Sequence, residues 1–186
     1  MRKLEGVVAK GMYIYVLAMG LFHLYTAVFG CFEAYLQRAI HLTWVLPMCF
    51  VFYSFRGQDE KQTAYNTVPW YDWVLAGLSI LPGIYIIINY HEIMMRMQGV
   101  DDLTTAQLLL GTMLIVLLLE GTRRIVGLPI VIVALSFTVY TYFCDASFLP
   151  VVLQGSPTEF PRLIEGMYLT DEGIFSSSLG VSPRPS

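Results

Sequence analysis

Charged side chains are scarce in this chain. Only 13% of its 186 residues are Asp, Glu, Lys or Arg, whereas 56% are apolar. Soluble domains carry roughly 25% charged residues, about twice this share. The mean hydropathy is +0.61. We therefore exclude a water-soluble globular domain and expect the chain to lie in a lipid bilayer.

Signals for several other functions are also missing. The net charge is −3 and no run of Lys or Arg would follow a phosphate backbone, so nucleic acid is not an expected partner. The three cysteines form no CxxC pair and are interpreted as small apolar residues. The sequence has no HExxH motif, no Cys/His cluster and no glycine-rich phosphate loop. We expect no cofactor, no metal site and no enzymatic activity.

Long apolar runs, in contrast, are abundant. They predict five transmembrane helices at about residues 11–32, 36–55, 73–90, 104–124 and 128–144, because roughly 20 apolar residues cross a hydrocarbon core about 30 Å thick. The expected fold class is an all-α integral membrane protein, in which residues 1–146 form a bundle of about five transmembrane helices.

The end of the chain differs in composition from the bundle. Residues 147–186 are rich in Pro, Ser and Gly, with a short amphipathic patch at 163–169. Such a patch is typical of a segment lying on a membrane surface. Residues 147–186 are therefore predicted to form a periplasmic or interfacial segment with a loose tail, which Pro183 and Pro185 keep from becoming helical.

Short motifs mark the ends and the irregularities of the predicted helices. Thr104 or Thr105 is the predicted N-cap of the fourth helix, and Pro82 predicts a kink in the third. Trp70 and Trp73 suit the headgroup region, where aromatic belts form. Asp72 lies between them and is interpreted as a helix cap at the membrane surface, with a binding role as the weaker alternative.

Basic residues in the connections predict the orientation. With five crossings, seven of them fall on the side of the N-terminus and three on the other side. The first group is Arg2, Lys3, Lys10, Arg56, Lys61, Arg123 and Arg124, and the second is Arg38, Arg96 and Arg162. Because cytoplasmic connections carry the excess of Lys and Arg, the N-terminus is predicted to be cytoplasmic.

Glu120 is the most informative ionisable residue, since an isolated charge at mid-membrane costs about 2.5–3.5 kcal/mol. Arg123 and Arg124 follow at i+3 and i+4, the spacings that place opposite charges on one helix face. We interpret the three residues as a structural ion-pair group or a subunit contact. The functional alternative is that Glu120 relays protons or binds a coupling cation.

Two histidines could in principle hold a haem between helices. His23 lies near the middle of the first predicted span, whereas His41 is assigned to the opposite interface at the start of the second. Their depths would then differ by about 12 Å, too much for one haem. A hydrogen bond from His23 within the bundle is favoured. A haem-binding membrane redox protein using His23 stays open as the alternative.

The order of five motifs resembles the N-terminal region of fused permeases of the TRAP (tripartite ATP-independent periplasmic) transporter family. The motifs are His41-Leu-Thr-Trp-Val-Leu-Pro47, Val68-Pro-Trp-Tyr-Asp-Trp73, Leu119-Glu-Gly-Thr-Arg-Arg124, Tyr168-Leu-Thr-Asp-Glu-Gly-Ile-Phe175 and Leu179-Gly-Val-Ser182. The resemblance implies uptake of organic anions such as carboxylates across a bacterial inner membrane, driven by an ion gradient. It implies two partners, a large multi-helix permease subunit that moves the substrate and a periplasmic substrate-binding protein that delivers it. This chain would be the small, scaffold-like membrane part.

The chain departs from that family at its end. Ser176 and Ser178 stand where the family usually has Gly and Pro, and Pro183-Arg-Pro-Ser186 stands where the first helices of the large part would continue. The chain is therefore either a natural split subunit or a truncated fragment of a fused permease without function, and both interpretations stay open.

Overall fold

The computed structural model describes residues 2, 4–30, 32–55, 68–145, 155, 158–171 and 173–176. All regular secondary structure in these ranges is helical. The helices are α1 (Gly6–Phe29), α2 (Ala34–Phe52), α3 (Trp70–Ile88), α4 (Tyr90–Met95), α5 (Thr105–Ile125), α6 (Leu128–Phe143) and α7 (Phe160–Tyr168).

Each of the five predicted spans coincides with one helix, α1, α2, α3, α5 and α6. Three of these, α1, α3 and α5, are long and apolar enough to cross a membrane. Helix α6 is apolar but only 16 residues long. Helix α2 has 19 residues but includes Gln37, Arg38 and His41, which lower its apolar character. Membrane crossing by α2 and α6 therefore stays a prediction.

The core lies between α2, α3 and α5. Helices α2 and α3 approach each other closely at Gly83, where an added Cβ would overlap the Thr43 hydroxyl oxygen. Glycine is required there because no side chain would fit. Apolar side chains fill the remaining space: Ala39, Leu42, Leu46, Phe50, Ala76, Ile86, Leu114 and Leu117 are buried.

The predicted N-cap of the fourth span can be compared directly with the structure. Thr104 is the N-cap of α5, and it forms a reciprocal capping box with Gln107. Pro82 lies inside α3, and the kink predicted there stays a prediction. The loose tail predicted after α7 falls at 177–186, outside the described residues.

The amphipathic patch forms α7, and its apolar face packs against the protein; its position at the membrane surface stays a prediction. Ile164 and Tyr168 are buried against α5, where an added Cβ on Gly111 would lie 2.5 Å from Ile164 Cγ2. The Tyr168 hydroxyl donates to the Pro82 carbonyl at 2.7 Å, and the Tyr35 hydroxyl donates to the Tyr168 carbonyl at 2.9 Å. An amphipathic stripe can be covered by protein as well as by lipid, and here the missing side chain of Gly111 provides the space.

Helices α1 and α6 lie at the outside of this core. Thr26 is the buried residue of α1 and Val131 that of α6. Most of their large apolar side chains are exposed, as expected for surfaces that face lipid or another membrane subunit. Helix α1 is joined to α2 by the Tyr15 hydroxyl, which donates to the Trp44 carbonyl at 3.1 Å.

Candidate functional site

Five charged side chains meet at one end of the bundle. They come from the segment before α1, from the first turn of α3 and from the last two turns of α5. We call them the charge network: Arg2, Asp72, Glu120, Arg123 and Arg124.

Asp72 is the centre of the charge network. Its Oδ1 accepts a hydrogen bond from Arg124 Nη1 at 2.7 Å, and its Oδ2 accepts one from Arg2 Nη2. The side chains of Asp72 and Arg124 are both 0% exposed. A buried ion is tolerated only when its partners are in place, so these three residues are mutually dependent.

Glu120 is the second carboxylate of the charge network. Its Oε1 accepts from Arg124 Nε at 2.7 Å and from Arg123 Nη2 at 2.8 Å, and its Oε2 accepts from Arg123 Nε at 2.7 Å. The i+3 and i+4 contacts expected from the sequence are therefore present. All four carboxylate oxygens of Asp72 and Glu120 are bonded to guanidinium groups.

The same arginines bind carbonyl oxygens at and beyond the C-terminal end of α2. Arg124 Nη1 donates to the Tyr53 carbonyl at 3.2 Å, and Arg123 Nη2 donates to the Phe55 carbonyl at 2.8 Å. Arg2 Nη1 donates to the carbonyl of Val51 at 3.2 Å. The last carbonyls of a helix lack partners within it and carry partial negative charge, so guanidinium groups stabilise this end of α2.

Aromatic rings cover part of Arg124. Its Cζ lies 5.1 Å from the Phe50 ring centroid and 5.6 Å from the Phe55 ring centroid, within the range of cation–π contacts. Arg124 Nη2 is buried and has no hydrogen-bond partner in the described part of the chain. Ring faces thus take the place of hydrogen-bond acceptors on one side of this guanidinium.

The interpretation of Asp72 as a helix cap is wrong. Pro69 is the N-cap of α3, no side-chain cap bond is present, and the Asp72 carboxylate turns inward to Arg2 and Arg124. Two strong cations in the interior outcompete the weaker backbone donors at the helix start. Sequence reasoning missed Arg2 as a partner because it lies far away along the chain.

Trp70 and Trp73 lie beside the charge network at the start of α3 but do not belong to it. Their exposed fractions are 76% and 48%, so both rings project from the bundle. This is the arrangement expected of aromatic residues at a membrane interface. Neither contributes a hydrogen bond to the five charged residues among those the structure describes.

The predicted difference in depth between the two histidines is wrong. His23 lies about two turns before the end of α1, and His41 about two turns after the start of α2, so the antiparallel helices bring them to the same level. His23 Nε2 lies 2.8 Å from His41 Nδ1, which is hydrogen-bonding distance. The error arose because α2 begins at Ala34, well before the point at which the apolar run begins.

A second ion-pair group fixes α7 to the connection between α4 and α5. Glu165 is buried and pairs with Arg162 at 2.9 Å and with Arg96 at 3.6 Å. The Gly99 backbone N–H donates to Glu165 Oε1 at 3.4 Å. On the same helix, burial raises the pKa of the Tyr168 phenol above its usual range, so this side chain stays a neutral hydrogen-bond donor.

The motifs that carry the family resemblance supply many of these contacts. Asp72 belongs to the second motif, Glu120, Arg123 and Arg124 to the third, and Tyr168 to the fourth. No family model, no curated protein and no solved structure matches the chain significantly.

Proposed function

We propose that the chain is the small, scaffold-like membrane part of a TRAP-type secondary transporter for organic anions. In this role it supports a large permease subunit that carries the substrate and ion sites. The observation that carries the proposal is the pairing of its charged motif residues. Asp72, Glu120, Arg123 and Arg124 form ion pairs with one another at one end of the bundle.

The charge network favours a scaffold over a carrier. A proton or cation relay needs a carboxylate that changes its partners during the cycle. In Asp72 and Glu120 every carboxylate oxygen is held by an arginine, and removing one partner would leave a buried charge uncompensated. Such an arrangement supports a rigid body better than a moving one.

The exposed faces favour a membrane partner. Helix α1 presents apolar side chains along its length, including Val7, Leu17 and Phe29 with exposed fractions of 86%, 50% and 74%. Together with α6 it offers a surface that can pack against helices of a larger subunit. The proposal places the chain in the bacterial inner membrane with a cytoplasmic N-terminus, and it assigns substrate delivery to a periplasmic substrate-binding protein.

Co-purification tests this proposal. The tagged chain is produced together with the large permease subunit encoded next to it and extracted in mild detergent. We expect the two proteins to elute as one complex. If the folded chain never retains the large subunit, the proposal fails. Absence of a neighbouring reading frame for a large part would favour the alternative, a solitary fragment without transport activity.

A substitution at Glu120 tests its role in assembly. Glu120→Gln removes the ion pairs to Arg123 and Arg124. We expect it to lower the yield of the complex, because the buried Arg124 and the partly buried Arg123 lose a counter-charge. Glu92→Gln, at an exposed acid of α4, is the matched control and should leave the yield unchanged. An intact complex whose transport shows an altered ion dependence would contradict the structural role.

The haem alternative has its own test. His23 and His41 now lie side by side, but their nitrogens are 2.8 Å apart, whereas a haem iron bound by both on opposite faces would hold them about 4 Å apart at bond lengths near 2 Å. The geometry favours a hydrogen bond. An absorbance spectrum of the purified chain, with His23→Asn as the comparison, decides whether haem is bound.

A further inference from the structure

Arg38 differs from the other described arginines in having no acidic partner among the residues that the structure describes. Of the six arginines in the described part of the chain, five lie within 4.0 Å of a carboxylate oxygen. These five are Arg2, Arg96, Arg123, Arg124 and Arg162. The described residues thus provide a carboxylate for every described arginine except Arg38.

The surroundings of Arg38 are only partly suited to a guanidinium. Nη1 donates to the Phe175 carbonyl at 2.8 Å, but Nε is buried and has no hydrogen-bond partner among the described residues. The side chain belongs to the second turn of α2, close to the positive end of the helix dipole. Glu33, the N-cap residue, is exposed and forms no ion pair with it. Among the described residues, no anion balances the positive charge at this end of α2.

A second unpartnered donor, the Tyr90 hydroxyl, belongs to a side chain close to Tyr35 and Phe175. The Tyr90 hydroxyl is buried and has no hydrogen-bond partner among the described residues. The Tyr90 ring lies 6.5 Å from the Tyr35 ring, and the Tyr35 ring lies 5.2 Å from the ring of Phe175, whose carbonyl binds Arg38. Arg38 and Tyr90 thus flank one aromatic group formed by Tyr35 and Phe175.

Unpaired buried donors cost about 1–3 kcal/mol each, and more when the group is charged. Arg38 remains partly exposed, so a ligand from outside can reach its side chain. Guanidinium groups bind phosphate oxygens through two donors at once, and a phenol hydroxyl can donate a further hydrogen bond. We propose that Arg38, assisted by Tyr90, binds a phosphate-type oxyanion at this end of the bundle. The proposal does not depend on the transporter assignment.

Two sources can supply such a group, the headgroup of an anionic lipid and free inorganic phosphate. The full-length chain is purified in a maltoside detergent that contains no phosphate. Retained molecules are then counted by native mass spectrometry after addition of phosphatidylglycerol, and separately of sodium phosphate. Retention of the lipid identifies a headgroup site, whereas retention of phosphate alone identifies a free-anion site.

Arg38→Gln is expected to weaken retention about tenfold or more, as loss of a charge-assisted hydrogen-bond pair does. Arg162→Gln is the matched control, because Arg162 is also partly exposed but already pairs with Glu165. Tyr90→Phe keeps the ring and removes only the hydroxyl, so it reports on the site even if Arg38→Gln fails to fold. Equal retention of both probes by the wild type, Arg38→Gln and Tyr90→Phe would overturn the proposal, as would no retention by the wild type.

Discussion

At the scale of single residues, the buried pair of Asp72 and Arg124 explains how ionised groups persist inside an apolar bundle. Taking two charges out of water is costly, and attraction between them offsets this only with close geometry and further hydrogen bonds. Both conditions hold, since Arg124 reaches Asp72 and Glu120 at 2.7 Å and also binds the Tyr53 carbonyl. Each of these residues therefore stabilises the bundle only when its charged partners are also present.

Asp72→Asn tests this dependence. The amide keeps the shape of the side chain but leaves Arg2 and Arg124 without one counter-charge, so we expect a loss of about 3–5 kcal/mol in the free energy of unfolding. The measurement is reversible unfolding of the chain in detergent. Asp102→Asn changes an exposed acid in the same way and should shift stability by less than about 0.5 kcal/mol. Similar small effects for both variants would contradict a buried ionised network.

Some of these pairings could be predicted from the sequence and others could not. Glu120 with Arg123 and Arg124 follows from helix spacing, because i+3 and i+4 neighbours share a face in any helix. Arg2 with Asp72 depends on how three helices pack, and no local pattern encodes that. The general rule that a buried acid needs a cation would have indicated only that a partner exists.

At the scale of helices, the contact between α5 and α7 depends on a missing side chain. An added Cβ on Gly111 would lie 2.5 Å from Ile164 Cγ2 and 3.0 Å from Tyr168 Cδ1. An added Cβ on Gly173 would likewise overlap backbone atoms of Gly166 and Met167, because the chain after α7 folds back over this helix. Helix α7 is thus held from both sides by glycine contacts.

Gly111→Ala should therefore loosen α7. In an open helix position, replacing Gly with Ala stabilises by up to about 1 kcal/mol, but at Gly111 the clash reverses the sign and costs about 1–3 kcal/mol. Gly77→Ala in α3 is the control, because a Cβ added there would meet no neighbouring atom within 4 Å. Limited proteolysis near residue 155 reports the release of α7. Equal resistance of Gly111→Ala and Gly77→Ala to the protease would show that α5 and α7 can adjust to the added methyl group.

The long helices were predictable because a run of apolar residues is a local property of the sequence. The depth of His41 in the bundle was not predictable in this way, because apolar content does not reveal that α2 already begins at Ala34. Burial of α7 was missed for a related reason. An amphipathic helix has the same pattern whether lipid or protein covers Ile164 and Tyr168.

At the scale of the whole molecule, the charge network and the Arg38 region occupy opposite ends of α2. The Phe55 carbonyl, just beyond one end, binds Arg123, and the turn near the other end contains Arg38. Such separation fits a bundle with two distinct water-facing surfaces. The side of the membrane that each surface faces, inside or outside the cell, is predicted by the distribution of basic residues.

Single cysteines at Lys61 and Gln154, in a background without the native cysteines, test this topology. With five crossings the two positions lie on opposite sides of the membrane, so a membrane-impermeant maleimide should label only Gln154→Cys in intact cells. Lys61→Cys should react only after the membrane is opened. Labelling of both positions from the same side would mean that one of the three predicted spans between them, α3, α5 or α6, does not cross.

The contact of Arg2 with Asp72 also orders events during synthesis. Arg2 leaves the ribosome 70 residues ahead of Asp72, whereas Arg124 follows Asp72 by 52 residues. When α3 enters the bilayer, the acid in its first turn therefore already has a counter-ion in the growing chain. The second arginine, Arg124, is synthesised only with α5. The Asp72 carboxylate then has both of its arginine partners.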